Sequence, residues 1–299
     1  MTKQIKGTLL LLLATVIWGS AFVSQSVAMA HIGPFTFQAV RSFLAVICLL
    51  PVIWLMDRSQ KHDRCFFRRW LDWKLWKGGI LCGIPLFLAC NLQQIGLVDI
   101  DPGKSAFLTA MYIVLVPIIG IFRKKPISPL IPVSVLIAVF GLYALTGMSS
   151  GIALGDLLLL GCALAFAVQI TFVDIYAGSA DPLRLNTIQI LVCCVLSTIV
   201  MLFVEKPTIE GIGNSWLALA HTGFLSLGIA YSLQIIGQKH LEPSTASLIM
   251  SLESVFALLF GWLVLGNVLS FWESVGCTSI FIAVLLSQIP TKGKKKSSV

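Results

Sequence analysis

Ten apolar runs, each long enough to cross a lipid bilayer, constrain the fold of this chain more than any other feature. A helix needs about 20 mostly apolar residues to cross the ~30 Å hydrocarbon layer. The chain has 299 residues, and only 11% of them are charged, against about 25% in a typical soluble domain. The sequence therefore predicts an all-α integral membrane protein with ten transmembrane helices. The runs lie near 7–29, 34–56, 76–97, 103–122, 128–147, 153–176, 182–204, 215–238, 244–265 and 269–289.

Lysine and arginine are unevenly distributed between the two sides of such a bundle. If the N-terminus is cytoplasmic, 18 of the 21 Lys and Arg residues lie on the cytoplasmic side, whereas Lys104 and Lys206 lie outside and Arg41 lies within the second run. Basic residues favour cytoplasmic loops. We therefore predict a multi-pass protein of the cell (plasma or inner) membrane with both termini cytoplasmic. The basic loop 57–77 and the basic tail 290–299 follow this rule and do not indicate a nucleic-acid partner.

The sequence also carries a weak internal repeat. Residues 96–120 align with 237–261 at an offset of 141, and residues 18–35 align with 166–183 at an offset of 148. Helices 1–5 therefore correspond to helices 6–10, and because five is odd the second copy is inverted. Secondary transporters often have such repeats and bind substrate at the membrane midplane between them. We predict one membrane domain, 1–299, with two inverted five-helix repeats at 7–147 and 153–289.

Five short segments can be compared with known families. They are Ile17-Trp18-Gly19-Ser20, Arg41-Ser42-Phe43-Leu44, 103–109 (GKSAFLT), Gly155-Asp156-Leu157-Leu158 and, most specifically, 243–266 with its Ser-Leu-Glu253. Together they resemble the EamA-like ten-helix branch of the drug/metabolite transporter superfamily. The resemblance implies an integral membrane transporter, often an exporter of amino acids or small metabolites, that does not hydrolyse ATP. The chain departs from the family at Asn267, where a glutamate is common, and at Ser26, where many members have a lysine; these departures bear on the substrate.

Two charged residues lie deep within the predicted helices. Glu253 is nine or ten residues into helix 9, roughly 13 Å deep, and Arg41 is seven residues into helix 2, roughly 10 Å deep. Charged residues at such depth face a partner or a wet cavity and are candidate functional sites. Glu253 carries a proton, binds a substrate amine, or forms a structural ion pair or packing hydrogen bond. For Arg41 we favour a structural pair with Glu253 over an anchor for a substrate carboxylate, an interface-seeking side chain or a helix cap.

A set of polar and aromatic residues is expected to line a central cavity together with these charges. Each side chain either faces water in such a cavity or joins helices by hydrogen bonds. Tyr112 is notable because the 141-residue offset pairs it with Glu253. The candidate substrate-binding or coupling residues are Glu253, Arg41, Trp18, Tyr112, Asn91, Gln94, Gln169, Tyr231 and Gln234, and Ser20, Gln93 and Thr171 belong to the same polar set.

The sequence favours a secondary transporter working by alternating access over three alternatives. One buried glutamate is poor support for a channel or lipid flippase, since a channel would present rings of charges or carbonyls, and a membrane-embedded enzyme would need a nucleophile or metal motif. An anionic phosphate-sugar substrate would need more deep cations than Arg41. The eight cysteines have no zinc-ligand spacing, and no Walker A loop occurs. We expect no catalytic residue, metal or cofactor. The expected partners are a small-molecule substrate, membrane lipid and possible coupling to H⁺, and both a monomer and a homodimer are open.

Overall fold

The regular secondary structure of the described residues is helical. The computed structural model describes residues 2–59, 69–124, 128–146, 153–265, 270–287 and 289, and these ranges contain no β-strand. We number the spanning helices in chain order. They are α1 (Lys3–Ala28), α2 (Pro34–Ser59), α3 (Trp73–Asp99), α4 (Pro102–Phe122), α5 (Leu130–Thr146), α6 (Leu154–Tyr176), α7 (Pro182–Val204), α8 (Trp216–Gln238), α9 (Pro243–Leu265) and α10 (Phe271–Ser287).

These helices confirm the predicted ten-helix membrane fold. Eight are long and apolar enough to cross a bilayer, and α5 and α10 contain the shorter apolar segments Leu130–Ala144 and Ser274–Ser287. A short helix, Ile209–Asn214, precedes α8. The tail 290–299, residues 60–68 of the basic loop and Asn267 lie outside the described residues.

Proline and aspartate fix the starts of several helices, as the X-Pro pairs predict. Proline fits the first turn of a helix because its missing N–H has no partner there in any case. Pro102 and Pro182 begin α4 and α7. The side chain before each proline caps the helix: Asp101 accepts a hydrogen bond from Gly103 N at 2.8 Å, and Asp181 accepts one from Arg184 N at 3.0 Å.

Helices α4 and α9 are both interrupted near the middle of the bundle. α4 consists of Pro102–Ala110 and Tyr112–Phe122, and α9 consists of Pro243–Met250 and Leu252–Leu265. At each break the backbone tightens into an i→i−3 turn, with Val114 N donating to Met111 O and Ser254 N donating to Ser251 O, both at 3.1 Å. The breaks lie within one residue of equivalent places in the two repeats: Tyr112 is the first residue after the α4 break, and Glu253 is the second residue of the α9 segment that begins at Leu252.

The two repeats use glycine in the same way to bring helices together. A methyl group added at Gly237 in α8 would lie 2.9 Å from Leu11 Cγ in α1. The equivalent addition at Gly96 in α3 would lie 2.7 Å from Leu159 Cγ in α6. Leu11 and Leu159 are themselves 148 residues apart, so the contact is repeated between the halves. α5 and α10 also pack closely, with Gly141 against Ser279.

Helices α2 and α7 are antiparallel and are joined at both ends. At the end that holds Arg69 and Arg184, here called the arginine end, Asp57 of α2 pairs with both arginines. At the other end, which holds Lys104 and is called the lysine end, Glu205 accepts hydrogen bonds from Phe35 N at 3.0 Å and Thr36 N at 2.8 Å. Glu205 thus caps the start of α2 from another helix.

Candidate functional site

A cavity lies at the centre of the bundle and receives side chains from both repeats. It contains about 490 Å³ of space not occupied by protein atoms, part of which is open solvent. Charged, amide and aromatic side chains predominate in its wall. The lining residues are Trp18, Phe22, Gln25, Arg41, Gln93, Tyr112, Phe166, Gln169, Ile170, Ser226, Leu227, Tyr231, Gln234, Met250 and Glu253.

Glu253 is the carboxylate of this cavity. Its side chain is buried, and the Tyr112 hydroxyl donates a hydrogen bond to Glu253 Oε1 at 2.9 Å. The two residues are 141 positions apart, so the contact joins equivalent positions of the two repeats, as the sequence offset anticipated. Because each residue follows the break in its own helix, the discontinuities of α4 and α9 bring both side chains to the middle of the molecule.

Arg41 is the cation of the same cavity, but it does not pair with Glu253. Its Nε donates to Gln38 Oε1 at 2.6 Å and its Nη1 donates to Gln25 Oε1 at 2.8 Å. The guanidinium carbon also lies 5.1 Å from the centre of the Phe37 ring. Among the described residues no ion pair joins Arg41 to Glu253. The expected structural pair is therefore wrong, because neutral amides of α1 and α2 satisfy the guanidinium locally.

Aromatic rings from both repeats form the apolar part of the wall. Trp18 meets Tyr231 edge-on with ring centres 5.1 Å apart, and Tyr112 meets Phe166 edge-on at 6.4 Å. Trp18 and Phe166 are equivalent positions of the repeat. The indole nitrogen of Trp18 is buried and has no hydrogen-bond partner among the described residues. Trp18 thus brings to the cavity wall an indole N–H donor that is not used by the described residues.

The predicted amides divide into two groups. Gln169 and Gln234 line the cavity and are bonded to each other, with Gln234 Nε2 donating to Gln169 Oε1 at 3.2 Å. Asn91 and Gln94 lie outside the cavity wall. Asn91 donates to Ser197 Oγ of α7 at 2.8 Å, and Gln94 contacts Met29 Sδ at 3.3 Å. Both are buried and hold helices together, because they project from other faces of α3 than Gln93 does.

The remaining members of the predicted polar set, Gln93, Ser20 and Thr171, make hydrogen bonds in three different parts of the molecule. Gln93 lines the cavity and donates to Thr109 Oγ1 at 3.3 Å. Ser20 bonds instead to His221 Nε2 at 3.2 Å. Thr171 is buried and donates to Ala167 O of its own helix at 2.8 Å.

Sequence reasoning missed several lining residues on α1, α6 and α8. Phe22 and Gln25 follow Trp18 by four and seven positions, the spacing that places residues on one helix face. That spacing was the available signal. Leu227 had the same signal, since it precedes Tyr231 and Gln234 by four and seven positions. Ser226 had none, since it lies in His221–Ala230, where α8 takes a π-helical form and the 3.6-residue period does not apply.

The described cysteines are free thiols, and the described residues include no group of three or more His, Cys, Asp or Glu that could hold a metal ion. Cys65 lies outside the described residues. The cavity chemistry therefore rests on one guanidinium, one carboxylate, amides and aromatic rings.

Comparisons with known proteins agree with this architecture. The model of the EamA-like transporter family matches twice, over residues 5–147 and 153–288. The chain belongs to the EamA-like transporter family. It is thus a multi-pass membrane transporter of the drug/metabolite transporter superfamily, and this membership points to a protein that is not an enzyme.

Two transporters named as uncharacterized are similar to this EamA-like chain along most of its length. One, from Archaeoglobus fulgidus, is 32% identical over 290 residues, covering 95% of this chain and 86% of the relative. The other, YoaV from Bacillus subtilis, is 20% identical over 304 residues, covering 98% of this chain and 100% of the relative. A solved crystal structure has the same fold, with a TM-score of 0.78 at 17% identity, covering 95% of this chain and 97% of the other.

Proposed function

We propose that this EamA-like transporter is a secondary exporter that moves amino acids or small amphipathic metabolites across the cell membrane by alternating access. The observation that carries the proposal is the presence of one buried cation, Arg41, and one buried carboxylate, Glu253, on different helices of a single cavity. A guanidinium suits a substrate carboxylate, and a carboxylate suits a substrate amine. The rings of Trp18, Phe166 and Tyr231 between repeats suit an apolar body. A zwitterion with an apolar side chain combines these features.

The position of the cavity supports alternating access. Its lining extends in both directions from Tyr112 and Glu253 near the helix breaks. Gln25 is three residues from the end of α1 at the lysine end, and Gln234 is four residues from the end of α8 at the arginine end. The arginine end carries the ion pairs of Asp57 with Arg69 and Arg184. With the predicted orientation, both termini are cytoplasmic and the cavity lies across the midplane, where secondary transporters bind substrate. Rocking of one repeat against the other would expose it to the two sides of the membrane in turn.

Several further assignments belong to the same proposal. Glu253 is the proposed coupling residue, which carries H⁺ or binds the substrate amine, with Tyr112 as its hydrogen-bond donor. Arg41, Trp18, Gln169, Tyr231 and Gln234 are proposed substrate contacts. One chain forms the whole cavity, so a monomer or a homodimer is compatible with transport. The single domain with repeats at 7–147 and 153–289 is the proposed functional unit.

Counterflow in liposomes tests the function. Purified protein is reconstituted, the vesicles are loaded with one unlabelled amino acid at a time, and uptake of the same labelled amino acid is measured with and without a pH gradient. Glu253→Gln keeps the shape of the side chain but removes its charge, so we expect counterflow to fall at least about tenfold and any dependence on the pH gradient to disappear. Glu210→Gln, at an exposed site, is the matched control and should behave as wild type. Wild-type counterflow and pH dependence in Glu253→Gln would remove Glu253 from the mechanism, and no counterflow by the wild-type protein with any amino acid would reject amino-acid transport.

A further inference from the structure

A chain of four buried amides runs from the cavity into the packed interior of the second repeat. Gln234 Nε2 donates to Gln169 Oε1 and Gln169 Nε2 donates to Gln189 Oε1, both at 3.2 Å. Gln189 Nε2 then donates to Asn186 Oδ1 at 2.8 Å. Gln169 and Gln234 line the cavity, whereas Gln189 and Asn186 do not. All four side chains are buried, so the exchange of hydrogen bonds with water is suppressed along the chain.

The far end of the chain fixes the direction of every bond in it. Asn186 Nδ2 contacts the backbone oxygens of Leu227 and Gly228, each at 3.1 Å, within the π-helical part of α8. Backbone carbonyls only accept hydrogen bonds, so the asparagine must point its NH₂ group at them and its oxygen at Gln189. Gln189 must then donate to Asn186 and accept from Gln169. Gln169 therefore has only its oxygen left for Gln234, and Gln234 must donate to it.

The cavity end of the chain is consequently an acceptor. Gln234 uses its NH₂ group on Gln169, and its oxygen Oε1 is buried without a hydrogen-bond partner among the described residues. An unsatisfied buried amide oxygen is costly, and a ligand N–H or O–H placed against it recovers that cost. Because each amide in the chain donates while it accepts, polarisation along the chain strengthens Gln234 Oε1 as an acceptor.

In the first repeat, the residue equivalent to Gln189 presents hydrogen-bond donors to the cavity side. Arg41 replaces Gln189 and Gln38 replaces Asn186 at the 148-residue offset. A guanidinium only donates, so Arg41 takes the oxygens of Gln38 and Gln25 and leaves the Gln25 nitrogen as a donor in the cavity wall. At Arg41 and Gln25 the first repeat thus contributes donors, whereas the second contributes the acceptors Gln234 Oε1 and Glu253. Gln93, the equivalent of Gln234 at the 141-residue offset, also uses its NH₂ group within the protein, on Thr109, and so keeps the same polarity as Gln234.

We propose that Asn186 and Gln189 are positioning residues that hold Gln234 as a hydrogen-bond acceptor and thereby select ligands with an N–H or O–H donor at this part of the cavity. The proposal rests on the proposed function in one respect, that ligands occupy this cavity. It adds two residues that do not touch the ligand, and it assigns specificity to the direction of a hydrogen-bond chain that begins at the backbone of α8.

Indole and benzofuran are suitable probes because they have the same shape, but indole has one N–H donor where benzofuran has an oxygen. Saturable binding of each to the full-length protein in lipid nanodiscs is measured by titration calorimetry, with empty nanodiscs subtracted. We expect wild-type protein to bind indole about fivefold more tightly than benzofuran, the effect of one good hydrogen bond. Glu253 also accepts N–H groups. The decisive comparison is therefore the change in the ratio of the indole and benzofuran affinities when the amide chain is broken outside the cavity.

Gln189→Leu and Asn186→Leu break the chain at two different points and leave Gln234 and Glu253 in place. We expect the indole preference to fall to about one or to reverse in both, since the amides toward the cavity are then free to turn. Gln238→Leu is the matched control, because Gln238 is a buried amide of α8 that donates to Ile170 O at 3.2 Å and has no part in the chain. The test needs only one of these two variants, Gln189→Leu or Asn186→Leu, provided that it elutes as a folded protein.

Three results would overturn the proposal: an equal affinity for both probes in the wild type, an indole preference that persists in the broken-chain variants, or no saturable binding of either probe at millimolar concentration. Amino-acid counterflow separates these results from a failure of the proposed function. Intact counterflow without an indole preference rejects the amide chain alone, whereas an indole preference without counterflow rejects amino-acid export alone.

Discussion

The two halves of this transporter have nearly the same backbone plan and opposite chemistry at its centre. α4 and α9 break within one residue of equivalent points, and α1 meets α8 through Leu11 and Gly237 as α6 meets α3 through Leu159 and Gly96. At the centre, however, the first half has Tyr112 where the second has Glu253. Packing positions are thus repeated, whereas the positions that face the cavity have diverged.

The contacts at the ends of α2 and α7 also occupy equivalent positions but use different partners in the two halves. Asp57 and Glu205 are equivalent residues, and each joins the end of its own helix to the start of the other. Asp57 meets the side chains of Arg69 and Arg184, whereas Glu205 meets the backbone N–H groups of Phe35 and Thr36. A carboxylate satisfies either set, because both arginine side chains and a helix start present N–H donors.

The largest effect, a loss of transport, is expected from a substitution that makes the two halves alike at one position. Arg41→Gln places in α2 the residue that α7 carries at Gln189. Because an amide lacks the positive charge that attracts a substrate carboxylate, we expect amino-acid counterflow to fall at least about tenfold. Counterflow of a matched amine without a carboxylate should fall less. Equal losses for the two substrates would show that Arg41 supports the fold and does not read the carboxylate.

A smaller effect is expected at the ends of α2 and α7, where the two carboxylates can be compared directly. Asp57→Asn should destabilise the protein by about 2–3 kcal/mol, below the cost of isolating a buried charge, because Arg184 keeps its contact with Asp181 at 3.2 Å. Glu205→Gln should cost about 1 kcal/mol, since its amide oxygen still accepts from the α2 start. Melting temperatures in the same detergent measure both changes. A lower melting temperature for Glu205→Gln than for Asp57→Asn would reverse the comparison.

A third effect, smaller than that of Asp57→Asn, tests how closely the packing is repeated. Gly96→Ala and Gly237→Ala each push a methyl group against a leucine, so we expect similar losses of about 1–2 kcal/mol. Gly213→Ala is the control, because a methyl group there meets nothing within 4 Å. Thermal melting of the three variants provides the measurement. A loss confined to one of the two packed glycines would mean that only one repeat depends on this approach.

The sequence by itself determined the membrane class, the ten-helix count and the inverted repeat, and it pointed to eight of the fifteen residues that line the cavity, Gln93 included. These features depend on local properties: apolar run length, proline at helix starts and residue offsets between repeats. Seven of the nine candidate site residues line the cavity, including Arg41 and Glu253. The pairing of Tyr112 with Glu253 was also accessible, because an offset that aligns two repeats aligns residues near their symmetry axis.

Only the tertiary structure decided which polar side chains meet. It separated Arg41 from Glu253 by giving the guanidinium two glutamine oxygens, and it placed Asn91 against Ser197 instead of in the cavity. It also revealed the direction of the amide chain, which starts from carbonyls in a π-helical segment. The physical reason is that helix periodicity fixes the face on which a residue lies, whereas the partner of a buried hydrogen bond depends on the packing of other helices and on their local distortions.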